Sequence, residues 1–220
     1  VPSKLNIPIG SSIKVEDAIL SLVTKSANDV AAAMAEHLGG TERNFAKMMT
    51  AKARQIGMRN TTFTNASGLH DPRQVSTARD MAIMARVLIR DYPKQYKYFA
   101  TRYFTYQGKS YRNHNRLLAS YKGMDGLKTG YVNASGFNLV ASAVQKNHRL
   151  IGVVFGGRST ATRNAHMVNI LDSGFEKISN IQVAAFKNVP VPNRKPGILR
   201  ALASLNSMAP SAASGRQSSQ

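Results

Sequence analysis

The sequence predicts an α+β fold: a helical cluster first, an antiparallel sheet next and a covering helix last. Three observations carry this reading. Apolar residues recur at helical spacing between Val15 and Arg90, with breaks at Gly39-Gly40 and Gly57. Three apolar segments, Leu127 to Val132, Phe137 to Val144 and Leu150 to Phe155, are joined by the short turns Asn133–Gly136 and Lys146–His148. Short turns imply antiparallel pairing, and a last helical stretch from Ala161 to Asp172 then covers the sheet.

Each element has a local reason. Val15 to Val23 places Val15, Ile19, Leu22 and Val23 on one helical face, with Glu16 and Asp17 favoured at its N-terminus. Asp29 to Leu38 is a second helix, stopped by the glycine pair. Glu42 to Ile56 is a third, with Phe45, Met48, Met49 and Ile56 as its apolar stripe. Thr77-Ala78-Arg79-Asp80 is a helix-start signal. The helix it opens runs to about Arg90, and Pro93 follows. Tyr103 to Tyr106 and Ser110 to Arg112 read as a hairpin around Gly108.

Composition narrows the function classes. Hydrophobic content is 43%, so the chain folds. No stretch approaches the roughly 20 apolar residues of a membrane span. Cysteine is absent, which excludes disulfides and thiolate metal sites. His37, His70, His114, His148 and His166 show no ligand spacing, and no phosphate loop or dinucleotide fingerprint is present, so neither metal nor cofactor is expected. The net charge of +19, from 30 Lys+Arg against 11 Asp+Glu, attracts polyanions. In the stretch from Tyr92 to Arg112, Tyr96, Tyr98, Phe99, Tyr103, Phe104 and Tyr106 interleave with Lys94, Lys97, Arg102 and Lys109. Stacking of bases is one reading. A strand pair with its aromatics on one face is preferred, because no nucleic-acid-binding motif accompanies the patch.

From Ser179 onward prolines punctuate the chain, and 211–220 is rich in Ser, Ala, Gly and Gln. Residues 1–178 are therefore expected to form the folded domain, and 179–220 a linker and disordered basic tail. Within it Ile198, Leu199, Leu202 and Leu205 beside Arg194, Lys195 and Arg200 make a weak basic amphipathic pattern. Peripheral contact with an anionic membrane surface is the alternative there to a plain tail.

Two short motifs carry the chemistry. Lys128-Thr129-Gly130 offers a cation, a hydroxyl and a bare backbone, a platform for an anionic peptide end. Ser26-Ala27-Asn28 breaks two helices and so presents Ser26 and Asn28 at one loop. Neither is specific alone: Ser204-Leu205-Asn206 repeats the second pattern in the tail. Their order and their surrounding phrases are specific. These are Thr61-Thr62-Phe63, Asn65-Ala66-Ser67-Gly68-Leu69, Ser76-Thr77-Ala78-Arg79-Asp80, Asn113-His114-Asn115-Arg116-Leu117-Leu118 and Gly136-Phe137-Asn138-Leu139-Val140.

With these phrases the chain resembles, from about Val15 to Ile178, the serine D-alanyl-D-alanine carboxypeptidases, which are penicillin-binding proteins of low molecular mass. The resemblance implies a β-lactamase/transpeptidase-like fold, with the N-terminal part of that fold missing and an exposed or loosened sheet edge as a result. It implies acyl transfer from the D-Ala-D-Ala end of a peptidoglycan stem peptide to a serine, followed by hydrolysis, in the periplasm or cell envelope. β-Lactam antibiotics are the second expected partner, and nucleic acid is not one. Ser26 is the implied proton relay and Asn28 a donor to a substrate carbonyl. Lys128 is catalytic and, with Thr129, grips the terminal carboxylate. Gly130 leaves room for the peptide, and Arg163 stands where relatives hold that carboxylate. Asn115 and Arg116 read as structural.

Bland alternatives stand beside these roles: a helix cap for Ser26, an exposed edge-strand lysine for Lys128 and a solvated surface arginine for Arg163. Strand alternation alone sends Lys128 and Thr129 to opposite faces. The family's nucleophile belongs to a Ser-x-x-Lys helix well upstream. The match Ser11-Ser12-Ile13-Lys14 lies only 15 residues before Ser26 and reads as a turn. The nucleophile is thus expected before Val1 and the chain alone is expected to lack turnover. A non-catalytic peptide-binding module and, behind it, a polyanion-binding protein are the alternative functions.

Overall fold

A computed structural model of the chain describes residues 3–187, with side chains to residue 181. Its centre is a three-stranded antiparallel sheet of β3 (Met124–Val132), β4 (Gly136–Gln145) and β5 (His148–Gly157), in the order β3-β4-β5. Leu139 to Ala143 of the central strand are buried without interruption, because both faces are covered. Leu139, Ala141 and Ala143 pack with Leu117 and Leu118 of the short helix α6 (Leu117–Ser120) and with Met167 and Leu171 of the last helix, α7 (Thr160–Lys187). Val140 and Leu127 pack on the opposite side with Ala85 of α4 (Ala78–Asp91) and with Tyr96. A β-carbon at Gly152 would lie 2.5 Å from the Met167 sulfur, so the glycine leaves room for the Met167 side chain against the sheet. Among the described residues neither outer edge of the sheet pairs with another strand.

The helical half holds α1 (Val15–Thr24), α2 (Asn28–Gly39) and α3 (Glu42–Gln55). Ala18, Val30 and Leu5 form a second core with Phe104. That residue belongs to the hairpin β1 (Tyr103–Tyr106) and β2 (Lys109–Arg112), turned by Gln107 and Gly108, both at positive φ. This is the two-residue turn whose twist suits paired strands. Phe104 stacks on Tyr106 and Tyr111, as the strand-pair reading requires.

Several expectations are corrected. In α1 the inward face is Ala18, Ser21, Val23 and Thr24, while Val15 is 64% exposed. Small residues let α1 approach its neighbours, so residue size overrides the apolar count there. In α3 Ala46 and Ala53 are buried and Met48 is exposed. Pro93 does more than follow a helix: as a first helical residue it opens α5 (Pro93–Tyr96) and a 3₁₀ turn, Lys97–Ala100. Tyr96, Tyr98 and Phe99 therefore sit on helical turns, not in the strand pair. Thr77 caps α4 through the Asp80 amide, as expected, but the Asp80 carboxylate accepts from the Asn60 amide and the Thr61 hydroxyl instead of closing a box. Helix α7 passes both Asp172 and Ser179, so the segment read as linker begins as helix. The remaining tail and its amphipathic pattern lie outside the described residues.

Candidate active site

Ser26 lies between α1 and α2 in the left-handed region, at φ 58°. A non-glycine residue persists there only when its surroundings hold it, and four ties do. Ser3 Oγ donates to the Lys25 carbonyl at 2.7 Å, the Asn28 amide donates to the Ser3 carbonyl at 2.8 Å, and the Ala27 amide reaches back to Ser21. The fourth tie is Asp29, whose carboxylate accepts the backbone amides of Leu5, Asn6, Ile7 and Val30 and so straps the N-terminal segment to the loop. Burial raises the Asp29 pKa, but these amide bonds outweigh it and hold it below the ordinary carboxylate value. Ser26 does not cap α2: Ala27 occupies the cap position without a side-chain bond.

Lys128 approaches from the sheet. Its Nζ donates to Ser26 Oγ at 3.0 Å and to the Thr129 carbonyl at 2.7 Å. The side chain thus curls across the edge of β3, which is how Lys128 and Thr129 both line one cleft despite strand alternation. A bulge between Met124 and Gly126 opens that strand. The Asn115 amide, buried, donates to the Gly126 carbonyl, which matches its structural reading. Burial, and then the charge of Arg163, pull the Lys128 pKa down to about 8. The edge-strand alternative fails, because the ammonium is bonded inside a cleft.

Arg163, in the first turns of α7, is 3% exposed. Its guanidinium donates to the Asn138 carbonyl and the Asn164 side chain, and no carboxylate pairs with it among the described residues. Burial lowers its pKa. A buried guanidinium without an acid is an unmet demand for an anion, so the surface alternative fails here too. Gly157 makes room for it: a β-carbon there would lie 2.7 Å from the Arg163 Cβ.

Ser26, Asn28, Lys128, Thr129, Gly130 and Arg163 all line a single cleft of about 1080 Å³. Among the described residues no Asp or Glu lines it, while its far wall is apolar, with Met34, Phe45, Met49 and Met84. Among the lining residues not anticipated as site residues are His114, Tyr131 and Phe137. The His114 pKa is lowered by burial and then by the charges of Lys128, Lys25, Arg116 and Arg163. Its sequence signal was its place between Asn113 and Asn115, both buried. Arg116, read as structural, also lines the cleft. Ser11 is exposed, bonds Pro8 of its own turn and is not part of the lining. Among the described residues no cluster of three or more His, Cys, Asp or Glu could hold a metal ion.

Fold and cleft together define a transpeptidase-like α+β domain, and known proteins agree. Penicillin binding protein 5 from Haemophilus influenzae superposes with a TM-score of 0.76 at 39% identity, covering 79% of this chain and 51% of that one. Penicillin binding protein 6B from Escherichia coli does so with a TM-score of 0.73 at 34% identity, covering 77% and 54%. By sequence the D-alanyl-D-alanine carboxypeptidase DacA of Haemophilus influenzae is 39% identical over 175 residues, 79% of this chain and 44% of the relative. DacC of Escherichia coli is 38% identical over 167 residues, 76% and 42%. The model of the D-alanyl-D-alanine carboxypeptidase family of peptidases matches residues 2–159. The chain belongs to that family, and it spans under half the length of these two curated relatives.

Proposed function

We propose that the chain supplies the Ser26 and Lys128 part of a serine D-Ala-D-Ala carboxypeptidase that trims peptidoglycan stem peptides in the cell envelope. A serine hydroxyl attacks the carbonyl between the two D-Ala residues and loses its proton to a base. The C–N bond breaks, the terminal D-Ala leaves as an amine, and water then cleaves the ester. The terminal carboxylate meets Arg163, Lys128 and Thr129. A lysine pKa of about 8 makes Lys128 a ready proton source near neutral pH, and Ser26 Oγ passes the proton to the leaving nitrogen. Asn28 donates to a substrate carbonyl, and Gly130 keeps the edge of β3 open for the peptide backbone. The nucleophile and its base come from a Ser-x-x-Lys segment outside these residues. The exposed turn position of Ser11, away from the cleft, supports this. Residues 1–178 form the peptide-binding part, and residues 179–220 serve as a connector and basic tail.

One observation carries the reading: the 3.0 Å contact between Lys128 Nζ and Ser26 Oγ, in a cleft that also holds an acid-free buried arginine. The test compares this chain with a protein extended upstream of Val1, using a labelled penicillin and D-Ala release from a D-Ala-D-Ala peptide. The extended protein takes the label and releases D-Ala; the 220-residue chain does neither. A stable label on Ser11 would overturn the assignment. Peptide binding without hydrolysis in the extended protein would favour a binding module instead.

A further inference from the structure

The outward face of the β1–β2 hairpin has no task in the carboxypeptidase reading. Phe104 is buried in the second core, and Tyr106 and Tyr111 stack on it from the same side. Directly opposed residues of paired strands share a face. Tyr103 with Arg112, and beyond them Thr105 with Ser110, therefore face outward together. All four are exposed, Tyr103 to 60%. The Arg112 guanidinium lies 6.0 Å from the Tyr103 ring centroid. One small surface thus offers an open aromatic ring, a fork of N–H donors and a pair of hydroxyls.

The surroundings favour an anion. From Tyr92 to Met124 the chain carries seven Lys and Arg and no Asp or Glu. None of the ion pairs among the described residues involves the hairpin. A face of this kind attracts negative charge and repels a cation. The hairpin is also continuous with the cleft. Arg112 is two residues before His114, at most about 7 Å along the chain, and His114 lines the cleft. On the inner side Lys25, which directly precedes Ser26, lies 5.7 Å from the Tyr111 ring centroid. A polymer with one end in the cleft has the hairpin within reach of its remaining length.

A saccharide ring lays its apolar face on a tyrosine, and its hydroxyls pair with those of Thr105 and Ser110. A carboxylate on such a chain matches the Arg112 fork. Nucleic-acid bases would call for successive open rings, and of the hairpin's aromatic residues only Tyr103 is exposed. We infer that Tyr103 and Arg112 form a second binding site, separate from the cleft, for a carboxylate-bearing saccharide chain: the glycan strand from which the stem peptide branches. The identity of that strand rests on the carboxypeptidase reading above.

The test titrates the full 220-residue chain by NMR with peptidoglycan glycan strands freed of peptide by an amidase, with a chitin pentasaccharide that lacks carboxylates, and with an acetylated D-Ala-D-Ala peptide. The glycan strands bind, and the chitin oligomer binds at least about fivefold more weakly. Tyr103→Ala and Arg112→Gln each weaken the glycan roughly fivefold, while Tyr103→Phe stays within about twofold of the parent. Neither loss extends to the D-Ala-D-Ala peptide, whose unchanged affinity also shows that the variants are folded. No glycan binding by the parent, or glycan binding indifferent to both substitutions, overturns the second site even where the peptide binds. Equal affinity for glycan and chitin overturns its carboxylate preference. A single-stranded oligonucleotide that binds more tightly than the glycan, and loses affinity in Tyr103→Ala, overturns the saccharide assignment. If the parent binds the glycan but not the peptide, the carboxypeptidase reading fails and the second site stands.

Discussion

Arg163 and Gly157 approach so closely that a β-carbon on the glycine would lie 2.7 Å from the arginine's own Cβ. The close approach seats a buried guanidinium at the end of β5, beside the Asn138 carbonyl of β4. Gly157→Ala therefore either pushes α7 outward or turns the arginine away. Stability is expected to fall by about 1–3 kcal/mol in urea unfolding. Affinity for a peptide carboxylate should fall with it, whereas a change at the exposed Gly130 rim would spare stability.

Lys128 gives the cleft its pH dependence. Its pKa is lowered from 10.5 to about 8, so the ammonium is lost in the folded chain as pH rises through that value. Binding of a peptide carboxylate should weaken between about pH 7 and pH 9, read by NMR titration. The sign for stability is the reverse. From about pH 8 toward 10.5 the unfolded chain holds a proton that the folded chain has released, so this group makes the fold more stable as pH rises.

Arg163 is the second cause of that shift, after burial. Arg163→Met should raise the Lys128 pKa above 8 without restoring 10.5, because burial persists. Following the Lys128 Cε resonance against pH measures this directly. An unchanged titration would mean that the two charges do not sense each other across the cleft.

Asp29 is the strap that holds the Ser26 loop. Asp29→Asn removes a charged acceptor from several amides and should cost about 1–2 kcal/mol in unfolding free energy. In the parent chain the Asp29 pKa is lowered from 3.8. Its contribution is thus complete above that value and is lost as pH falls through the lower folded one. The variant should lack this part of the acid dependence.

Much of this architecture is legible in the residues themselves. The strands β3, β4 and β5 announce themselves by apolar runs and short turns, and the Thr77 cap by its spacing to Asp80. Other parts are not, for physical reasons. The face of α1 is set by Ala18 and Ser21, small residues that close packing favours and apolar counting ignores. Pro93 can end one helix and open the next, and only the packing of Tyr96 against Leu127 and Val140 decides that it does both. The burial of Arg163 depends on the missing side chain of Gly157, a contact no periodicity encodes. The meeting of Lys128 with Ser26 bridges 102 positions and is visible in the sequence only through flanking phrases that resemble a family.

The account turns on whether this cleft reads the carboxylate of a D-Ala-D-Ala end. The direct measurement is the affinity of the 220-residue chain for one acetylated D-Ala-D-Ala peptide with a free C-terminus and for the same peptide amidated. The account predicts that amidation weakens binding by roughly tenfold or more, and that Arg163→Met or Lys128→Ala largely erases the difference. Equal affinity for the acid and the amide in the parent chain would contradict it.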